Sequence, residues 1–372
     1  MERQNGKKIR SKALMKKFDW YIIKKFLSTF FFAISLILVI VIVFDISEKI
    51  DDFLRSEVSL EKIIFDYYLN FIPYFGNLFS PLFIFISVIY FTSKMAGDSE
   101  IIAMLNSGMS FSRLLRPFIF SAIFLASLSF ILGNFIIPET NKTRIDFENK
   151  YVKRKQKKRI KNIHMQIQKD QYVYMESYNR SKNIGYKFTL ENFKKNVLKS
   201  KLSANYIEYD TTKNLWKVKD YKIRKYYDKS EEIIKGRTID TIINLKPSDL
   251  AKNKSLVETM GMKKLNEFIK LEEIKGTSQI IYHKLEKHKR IANPFSTIIL
   301  TIIAVAIGSR KMRSGAGIQL SIGLLLSFGY ILFMQVSTTF ATNSNLSPLI
   351  AVWIPNLIYG LIAIFLARFS SK

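Results

Sequence analysis

The stretch FLSTFFFAISLILVIVIVF, residues Phe26–Phe44, contains no acidic or basic side chain. An α-helix rises about 1.5 Å per residue, so a run of this length crosses a hydrocarbon core of about 30 Å. One charge at the centre of such a helix costs about 2.5–3.5 kcal/mol in a membrane. The absence of any charge therefore predicts a membrane-spanning helix.

Five further stretches of the same kind follow along the chain. The last two come from one uncharged segment between Arg313 and Arg368, which the polar residues Thr342–Pro348 divide. A soluble protein would have to pack six entirely apolar helices in one domain, so we predict six membrane spans. They are Phe26–Phe44, Phe71–Thr92, Pro117–Ile137, Ile291–Gly308, Ile318–Ala341 and Leu349–Ala367.

The spans form two groups of three, separated by a long, mostly polar insert. The sequence thus predicts a membrane α-helical protein with an inserted β domain. We divide it into a basic N-terminal segment (1–25), spans one to three with the loop 93–116 (26–138), the insert (139–290), and spans four to six (291–372).

Lys and Arg residues flank the spans on one side of the membrane. They crowd the segment before the first span, and the second–third loop carries Lys94, Arg113 and Arg116, whereas Asp45 and Glu48 follow the first span on the opposite side. Short cytoplasmic segments are enriched in Lys and Arg. We therefore expect a multi-pass membrane protein with both termini cytoplasmic and the insert on the side away from the cytoplasm. The first span is long enough to serve as a membrane anchor without a cleavable signal peptide.

The insert is strongly basic. Residues 139–290 carry 38 Lys and Arg against 19 Asp and Glu, out of a chain net charge of +28. Such a surface suits an anionic partner or a phosphate-rich membrane, although a charge excess also serves simply to keep a domain soluble. Nucleic acid is a poor partner for a domain placed outside the cytoplasm.

Apolar and polar residues alternate within the insert, as is typical of half-buried strands. This pattern predicts an antiparallel sandwich or open barrel. The basic run Lys153–Arg159 is interpreted as a helical extension of the third span, and Met262–Ile274 and Gln279–Arg290 as helical connectors. The alternating runs are Tyr172–Met175, Gly185–Leu190, Ala204–Tyr209, Trp216–Lys219, Tyr221–Arg224 and Thr238–Ile243.

Several kinds of site are missing from the sequence. There is no Gly-x-x-x-x-Gly-Lys-Ser/Thr loop for nucleotide phosphates, and the three histidines lack the spacing of a metal site. No charge lies inside a span, which argues against an ion-coupled carrier. Asn77 and Asn134 are strongly polar residues within spans, and we expect them to form helix–helix hydrogen bonds. The chain has no cysteine, so no disulfide can stabilise the insert.

The second–third loop contains the stretch GDSEIIAMLNSGMS, residues 97–110. Ser99 or Asp98 is expected to cap a short helix that begins with an acidic residue and ends at Gly108. Such a helix can dock into a soluble partner and receive its motion, or form a tight turn on the membrane surface.

At this loop the chain resembles the LptF/LptG family of lipopolysaccharide-export permeases. The matching segments are Ser99-Glu100-Ile101-Ile102 and Ser107-Gly108-Met109-Ser110. Further matches, in family order, are Asp19-x-Tyr21-Ile22-x-Lys24, Pro73, Pro81, Pro138, Asn293-Pro294-Phe295 and Trp353-Ile354-Pro355-Asn356. The length and the last of these motifs favour an LptG-like over an LptF-like member.

The resemblance implies a fold and a set of partners. It implies six spans with a periplasmic β-jellyroll, and a non-enzymatic permease subunit that extracts lipopolysaccharide from the inner membrane and passes it to a bridge toward the outer membrane. The partners would be a cytoplasmic ABC ATPase dimer of the LptB type, a sister permease, and bridge proteins of the LptC and LptA types. The chain itself would bind no cofactor, while its ATPase partner would use ATP and Mg.

The resemblance also implies residue roles. The first and fifth spans would form lateral gates for the lipid. The residues that couple to the ATPase would be Ser99, Glu100, Ile101, Ile102, Ser107, Gly108 and Ser110. Candidate lipid contacts are Lys49 and Arg55 near the outer end of the first span, and Tyr174, Phe188, Ile207 and Val218 as inward-facing residues of the insert, which ordinary core packing explains equally well.

One departure from the family concerns the outer end of the first span, where relatives offer lysines to lipid phosphates. Here Asp45, Glu48, Asp51 and Asp52 surround the two cations.

Two other function classes stay open. One is a membrane component that transmits motion from an ATPase to a periplasmic protein without lipid passage, which predicts a filled core in the insert. The other is an anchored scaffold, which would need no coupling loop.

Overall fold

The computed structural model describes residues 17–152, 159–179, 181–227, 230–245, 247–250, 254–275, 280–310, 316–344 and 346–370. Most of the basic N-terminal segment, Lys311, Arg313, and all but the last residue of the run Lys153–Arg159 lie outside these ranges. The predicted helical extension over that run therefore falls outside the described residues, and Arg159 itself begins a strand.

Helices make up both ends of the described chain. They are α1 (Lys17–Arg55), α2 (Leu60–Gly97), α3 (Glu100–Asn106), α4 (Phe111–Val152), α5 (Pro247–Leu250), α6 (Lys254–Glu258), α7 (Met262–Lys275), α8 (Ile280–Gly308), α9 (Ala316–Asn343) and α10 (Pro348–Phe369). Short π-helical turns interrupt α2 at Ile63–Tyr68 and α4 at Leu132–Ile136 and Glu148–Val152.

Six of these helices, α1, α2, α4, α8, α9 and α10, are long and apolar enough to cross a membrane, which confirms the six predicted spans. Several are much longer than the spans. α1 has 39 residues, and α8 joins the predicted connector before the fourth span to that span in one helix. Charged residues mark where a span leaves the hydrocarbon, whereas the backbone hydrogen bonds of the helix continue beyond that point.

The chain forms two compact units. The first contains residues 1–48, 72–133 and 289–372, and thus most of the membrane helices. The second contains residues 49–71 and 134–288, and includes the whole sheet.

A proline and its neighbour organise the last three helices of the first unit. Pro355 in α10 has no N–H to give the carbonyl of Ala351, and Ser337 Oγ of α9 donates to that oxygen instead, at 2.6 Å. Asn356 then joins three helices: its Nδ2 donates to the Ala292 carbonyl of α8 at 3.1 Å, and its Oδ1 accepts from Tyr330 Oη of α9 at 2.9 Å. Hydrogen bonds of this kind fix helix packing within a membrane.

Glycines allow α2 to approach α8 and α9 closely. A Cβ added at Gly308 would collide with Thr92, and one at Gly323 would lie 2.9 Å from the Phe85 ring. Asn77 of α2 accepts a hydrogen bond from Ser129 Oγ of α4 at 2.7 Å, so the expected helix–helix role of Asn77 is confirmed.

The second unit contains a six-stranded antiparallel sheet between the third and fourth spans. Its strands are β1 (Arg159–Gln168), β2 (Gln171–Asn179), β3 (Ile184–Lys194), β4 (Val197–Asp210), β5 (Leu215–Tyr226) and β6 (Glu231–Thr241). Each strand pairs with the next along the chain, so the order is β1 to β6. The antiparallel β domain is confirmed, but these strands form a meander, without the Greek-key crossovers of a jellyroll.

The sheet is bent along one line that crosses its strands, which we call the crease. Asn162, Lys187 and Asp220, on alternate strands, have φ of 52°, 49° and 49°. In each pair of neighbouring strands, one residue pair is missing from the register along this line. Met175 pairs with Phe188 on one side of the line, and Tyr178 pairs with Gly185 on the other. Positive φ at one residue bends a strand in the manner of a bulge. The sheet is therefore bent along a single line.

Burial changes phase at the crease. Inward residues recur every two positions along a regular strand, yet across the crease the buried positions step by three, from Ala204 to Ile207 and from Gly185 to Phe188. Both halves thus contribute to one core, and a Cβ at Gly185 would lie 2.6 Å from the Met175 sulfur. On the line itself, the Glu176 carboxylate lies 2.5 Å from Lys187 Nζ and raises the pKa of that lysine.

Candidate functional site

The helix in the second–third loop, α3, begins at Glu100 as expected, and of the two expected capping residues, Ser99 and Asp98, it is Ser99 that occupies the N-cap position. Ser99 has φ 61° and ψ 10°, and its side chain makes no capping hydrogen bond. The prediction of a side-chain cap at Ser99 is wrong, because an N-cap side chain reaches the first turn from an extended backbone, and this serine is left-handed. The first turn keeps the acidic residue Glu100, which favours the positive end of a helix.

Gly108 ends this segment as predicted. Its φ is 87°, its N–H donates to the Leu105 carbonyl at 3.0 Å, and the N–H of Met109 donates to Met104 at 3.2 Å. This is the usual exit from a helix through a left-handed glycine. The next helix follows at once, since Ser110 Oγ accepts from the N–H of Arg113 and caps α4.

The two faces of α3 differ sharply. Ile101 is buried, and Met104 and Leu105 pack against the same apolar cluster of the first unit. Ile102 is half-buried. The other face carries Glu100, half-exposed, and the exposed residues Ala103 and Asn106, and the turn that follows the helix exposes Ser107, Gly108 and Ser110. The helix is thus anchored by its apolar side and presents small and polar residues on the other.

A partly buried ion pair joins the start of α1 to the start of α4. Arg113 Nη1 and Nη2 each donate to one carboxylate oxygen of Asp19, both at 2.7 Å. The Asp19 side chain is 6% exposed and that of Arg113 25%. A bidentate pair of this kind fixes direction as well as distance.

Of the two cations predicted to meet the lipid, Lys49 lies within a buried polar cluster of the second unit. Its ammonium donates to Tyr67 Oη and lies 3.8 Å from Glu148 Oε1, and Arg144 Nη1 lies 2.8 Å from the same oxygen. The rings of Phe53 and Phe147 pack against Tyr67. The cluster joins the end of α1, the start of α2 and the end of α4.

Arg55 is different. Its side chain is 66% exposed and lies 3.7 Å from Asp52 on the next turn of α1. A surface pair of this kind contributes about 0.3–0.5 kcal/mol. Arg55 is therefore accessible to a ligand, whereas Lys49 is engaged within the chain.

The structure places three of the four candidate lining residues in the sheet core. Phe188, Ile207 and Val218 are fully buried. Tyr174 is not inward-facing, contrary to the prediction, because its neighbours Val173 and Met175 take the buried positions and its ring packs on His164 at 4.4 Å.

A recess lies at one end of the sheet. It has a volume of about 540 Å3, lies where β4 begins and β5 ends, and is lined by Lys199, Ser200, Ile223, Lys225, Tyr226 and Tyr227. This end of the sheet thus presents amines and phenols.

The first and fifth spans have the least burial. Within their most apolar stretches, 17% of residues are buried in α1 and 22% in α9, against 67% in α8. These two helices present most of their apolar surface away from the rest of the chain.

A comparison with known protein families covers the loop helix, the six spans and the inserted antiparallel domain together. A family profile described as lipopolysaccharide export system permease LptF/LptG matches residues 20–368. The chain belongs to the LptF/LptG family. No curated protein matches it.

Family membership defines the general role of the LptF/LptG chain. It is a multi-pass inner-membrane permease subunit with a role in lipopolysaccharide export as part of an ABC transporter. The family acts as a membrane complex with an ABC ATPase and a sister permease.

Sequence reasoning did not identify the two buried charge clusters. Asp19 was noted only as part of a motif, and Glu148 and Arg144 were not singled out. One signal was available for Asp19, which is one of two acids in the strongly basic segment before the first span. Its partner is 94 positions away and follows from no local pattern.

Proposed function

We propose that this chain is the non-catalytic, LptG-like permease of an ATP-driven exporter. In this proposal it lets lipopolysaccharide leave the outer leaflet of the inner membrane and delivers it to a periplasmic bridge. ATP and Mg are used by an LptB-like ATPase dimer in the cytoplasm. An LptF-like sister permease completes the membrane part, and LptC- and LptA-like proteins form the bridge.

The observation that carries this proposal is the two-faced helix α3. Its buried Ile101 holds it to the membrane unit, so a force on its exposed face reaches the spans. Small residues at Ala103, Ser107 and Gly108 allow a partner surface to come close, and Glu100 supplies one charge for a basic group of that partner. An anchored scaffold has no use for such a helix.

An external energy source is required by the chemistry of the cargo. Withdrawing acyl chains from a bilayer costs about 0.8 kcal/mol per CH₂, so a lipid with several chains does not leave spontaneously. The weakly packed spans α1 and α9 support a lateral entrance, because their apolar surface is free to face a sister permease or the lipid.

The proposal is tested with Glu100→Lys in the purified complex reconstituted in liposomes containing lipopolysaccharide. We expect ATP hydrolysis to continue while ATP-dependent lipid release falls by about tenfold or more, in the range of typical coupling between sites. Asp98→Lys is the matched control, since Asp98 is exposed and precedes the helix. Full release by Glu100→Lys would remove this residue from the mechanism.

Transmission of motion without lipid passage is the second candidate. The buried core of the sheet favours it, since Phe188, Ile207 and Val218 are fully buried within the chain and would have to be uncovered before an acyl chain could contact them. A photocrosslinker at Ile207 decides between the two. ATP-dependent crosslinks to lipopolysaccharide from Ile207, and none from Tyr174 on the other face, support passage through the sheet. No crosslink from Ile207 supports transmission alone.

A further inference from the structure

The pair Asp19–Arg113 stands at the junction between the loop helix and the first span. Asp19 is the third residue of α1 and Arg113 the third residue of α4. The backbone N–H of Arg113 bonds to Ser110, the last residue of the turn that follows α3, while its guanidinium holds Asp19. One residue therefore touches both the end of the α3–α4 turn and the start of α1.

The surroundings of the pair form one packed block. Ile22 and Phe26 of α1 belong to the same buried cluster as Ile101 of α3 and Leu114 of α4. The rings of Phe26 and Phe118 lie 6.3 Å apart, which extends the contact between α1 and α4 by two turns. Apolar contacts resist separation of the helices but allow sliding, whereas the two parallel hydrogen bonds of Asp19–Arg113 resist both.

The rest of the first span is held differently. Only 17% of the most apolar part of α1 is buried, and Phe32 is 71% exposed. The far end of α1 is held again, by the polar cluster around Lys49 and by the buried ring of Phe53. The middle of α1 is therefore the part with little packing to resist a movement that starts at Asp19.

We propose that Asp19 and Arg113 are positioning residues that make α1 follow α3 when the ATPase partner moves it. This inference rests on the function proposed above and adds the step by which movement of the loop helix reaches the lateral gate. Neither residue meets ATP or lipid. Their role is to keep the first turns of α1 in register with the α3–α4 turn.

The test uses the full complex in liposomes, with lipid released per ATP hydrolysed as the readout. Arg113→Lys keeps the charge but loses the two-pronged geometry, and Asp19→Asn keeps the shape but loses the charge. We expect each to lower lipid release per ATP by about tenfold while the ATPase rate and its KM for ATP stay within about twofold. The double variant Asp19→Arg with Arg113→Asp should recover most of the loss.

Arg116→Lys is the matched control, because Arg116 lies one turn further along α4 and is exposed. An equal loss in Arg116→Lys, or unchanged release per ATP in Arg113→Lys, would overturn the role of the pair. A parallel loss of ATPase rate would also overturn it, since that result indicates failed assembly. If the unsubstituted complex releases no lipid with ATP, the proposed function itself fails.

A second measurement reports the movement directly. The chain has no cysteine, so spin labels attach only at the cysteines that Trp20→Cys and Ser112→Cys introduce. Both positions are exposed. The distance between them should stay constant through the ATP cycle in the parent chain and change with nucleotide in Arg113→Lys. A distance that varies equally in both would contradict the proposal.

Discussion

At the scale of single residues, the backbone of Ser99 is the feature with the clearest energetic consequence. A left-handed non-glycine residue costs roughly 1–2 kcal/mol, and Ser99 adopts this conformation directly before the loop helix. Strain of this kind is often found where a segment has to move. A substitution at Ser99 can therefore change the stability of the start of α3 without altering the exposed face of this helix.

We expect Ser99→Gly to raise the free energy of unfolding by about 0.5–1 kcal/mol, because relief of the strain exceeds the backbone entropy cost of glycine. Ser112→Gly is the control, since Ser112 is exposed within regular α4 and glycine there should be destabilising by about 0.5–1 kcal/mol. Thermal unfolding in detergent measures both. The same sign for the two variants would contradict the strain argument.

Some residue roles follow from the sequence and others do not. Gly108 and Asn77 behave as predicted, because a helix-ending glycine and an amide inside a span have few alternatives. Tyr174 was assigned to the wrong face of the sheet. In an alternating run, either set of alternate residues can face inward, and aromatic residues are compatible with both faces. The Asp19–Arg113 pair could not be predicted, since tertiary packing alone brings the two residues together.

At the scale of elements, close contacts between helices decide the packing of the membrane unit. Gly308 of α8 faces Thr92 of α2, and an added Cβ would also lie 3.3 Å from the Ile89 carbonyl. The Thr92 side chain cannot easily turn away, because its Oγ1 donates to the Val88 carbonyl at 2.6 Å.

Gly308→Ala should therefore lower the free energy of unfolding by about 1–3 kcal/mol, as expected of overpacking. Gly317 is the matched control, because nothing lies within 4 Å of an added Cβ there. Gly317→Ala should be neutral, or stabilising by up to about 1 kcal/mol through helix propensity. Thermal unfolding with retained lipid composition measures the pair, and equal stability of both variants would contradict the close approach.

The elements themselves were largely predictable. Uncharged length identified every span, and alternation identified five of the six strands, with Trp216–Lys219 and Tyr221–Arg224 joined in β5. The crease was not predicted. Inward positions such as Val218 and Tyr221 are three residues apart across the crease. In a sequence, this spacing breaks the two-residue alternation and therefore looks like the end of one strand and the start of another.

At the scale of the whole molecule, the spans differ in how much of each is buried within the chain. α1 and α9 are the least buried spans and α8 the most. Exposure alone does not make a gate, since Leu361 of α10 is also 68% exposed. A gate should contact lipopolysaccharide, whereas an ordinary lipid-facing surface should contact the bulk phospholipid.

Photocrosslinkers at Phe32 and Leu325, which are 71% and 74% exposed, should capture lipopolysaccharide in the assembled complex. The same group at Leu361 should capture phospholipid in bulk proportion, and at the fully buried Ile303 neither lipid. Mass spectrometry of the adducts gives the ratio of the two lipids. Equal ratios at Phe32, Leu325 and Leu361 would remove the lateral-gate assignment.

The most direct test of an ATP-coupled lipopolysaccharide exporter is gentle purification of the tagged chain, followed by mass spectrometry of every protein and lipid that accompanies it. The account predicts a nucleotide-hydrolysing subunit, a sister permease and a phosphorylated glycolipid together. An ATPase with a periplasmic protein but no glycolipid would contradict lipid passage and support transmission of motion. Recovery of neither an ATPase nor a glycolipid would contradict the exporter altogether.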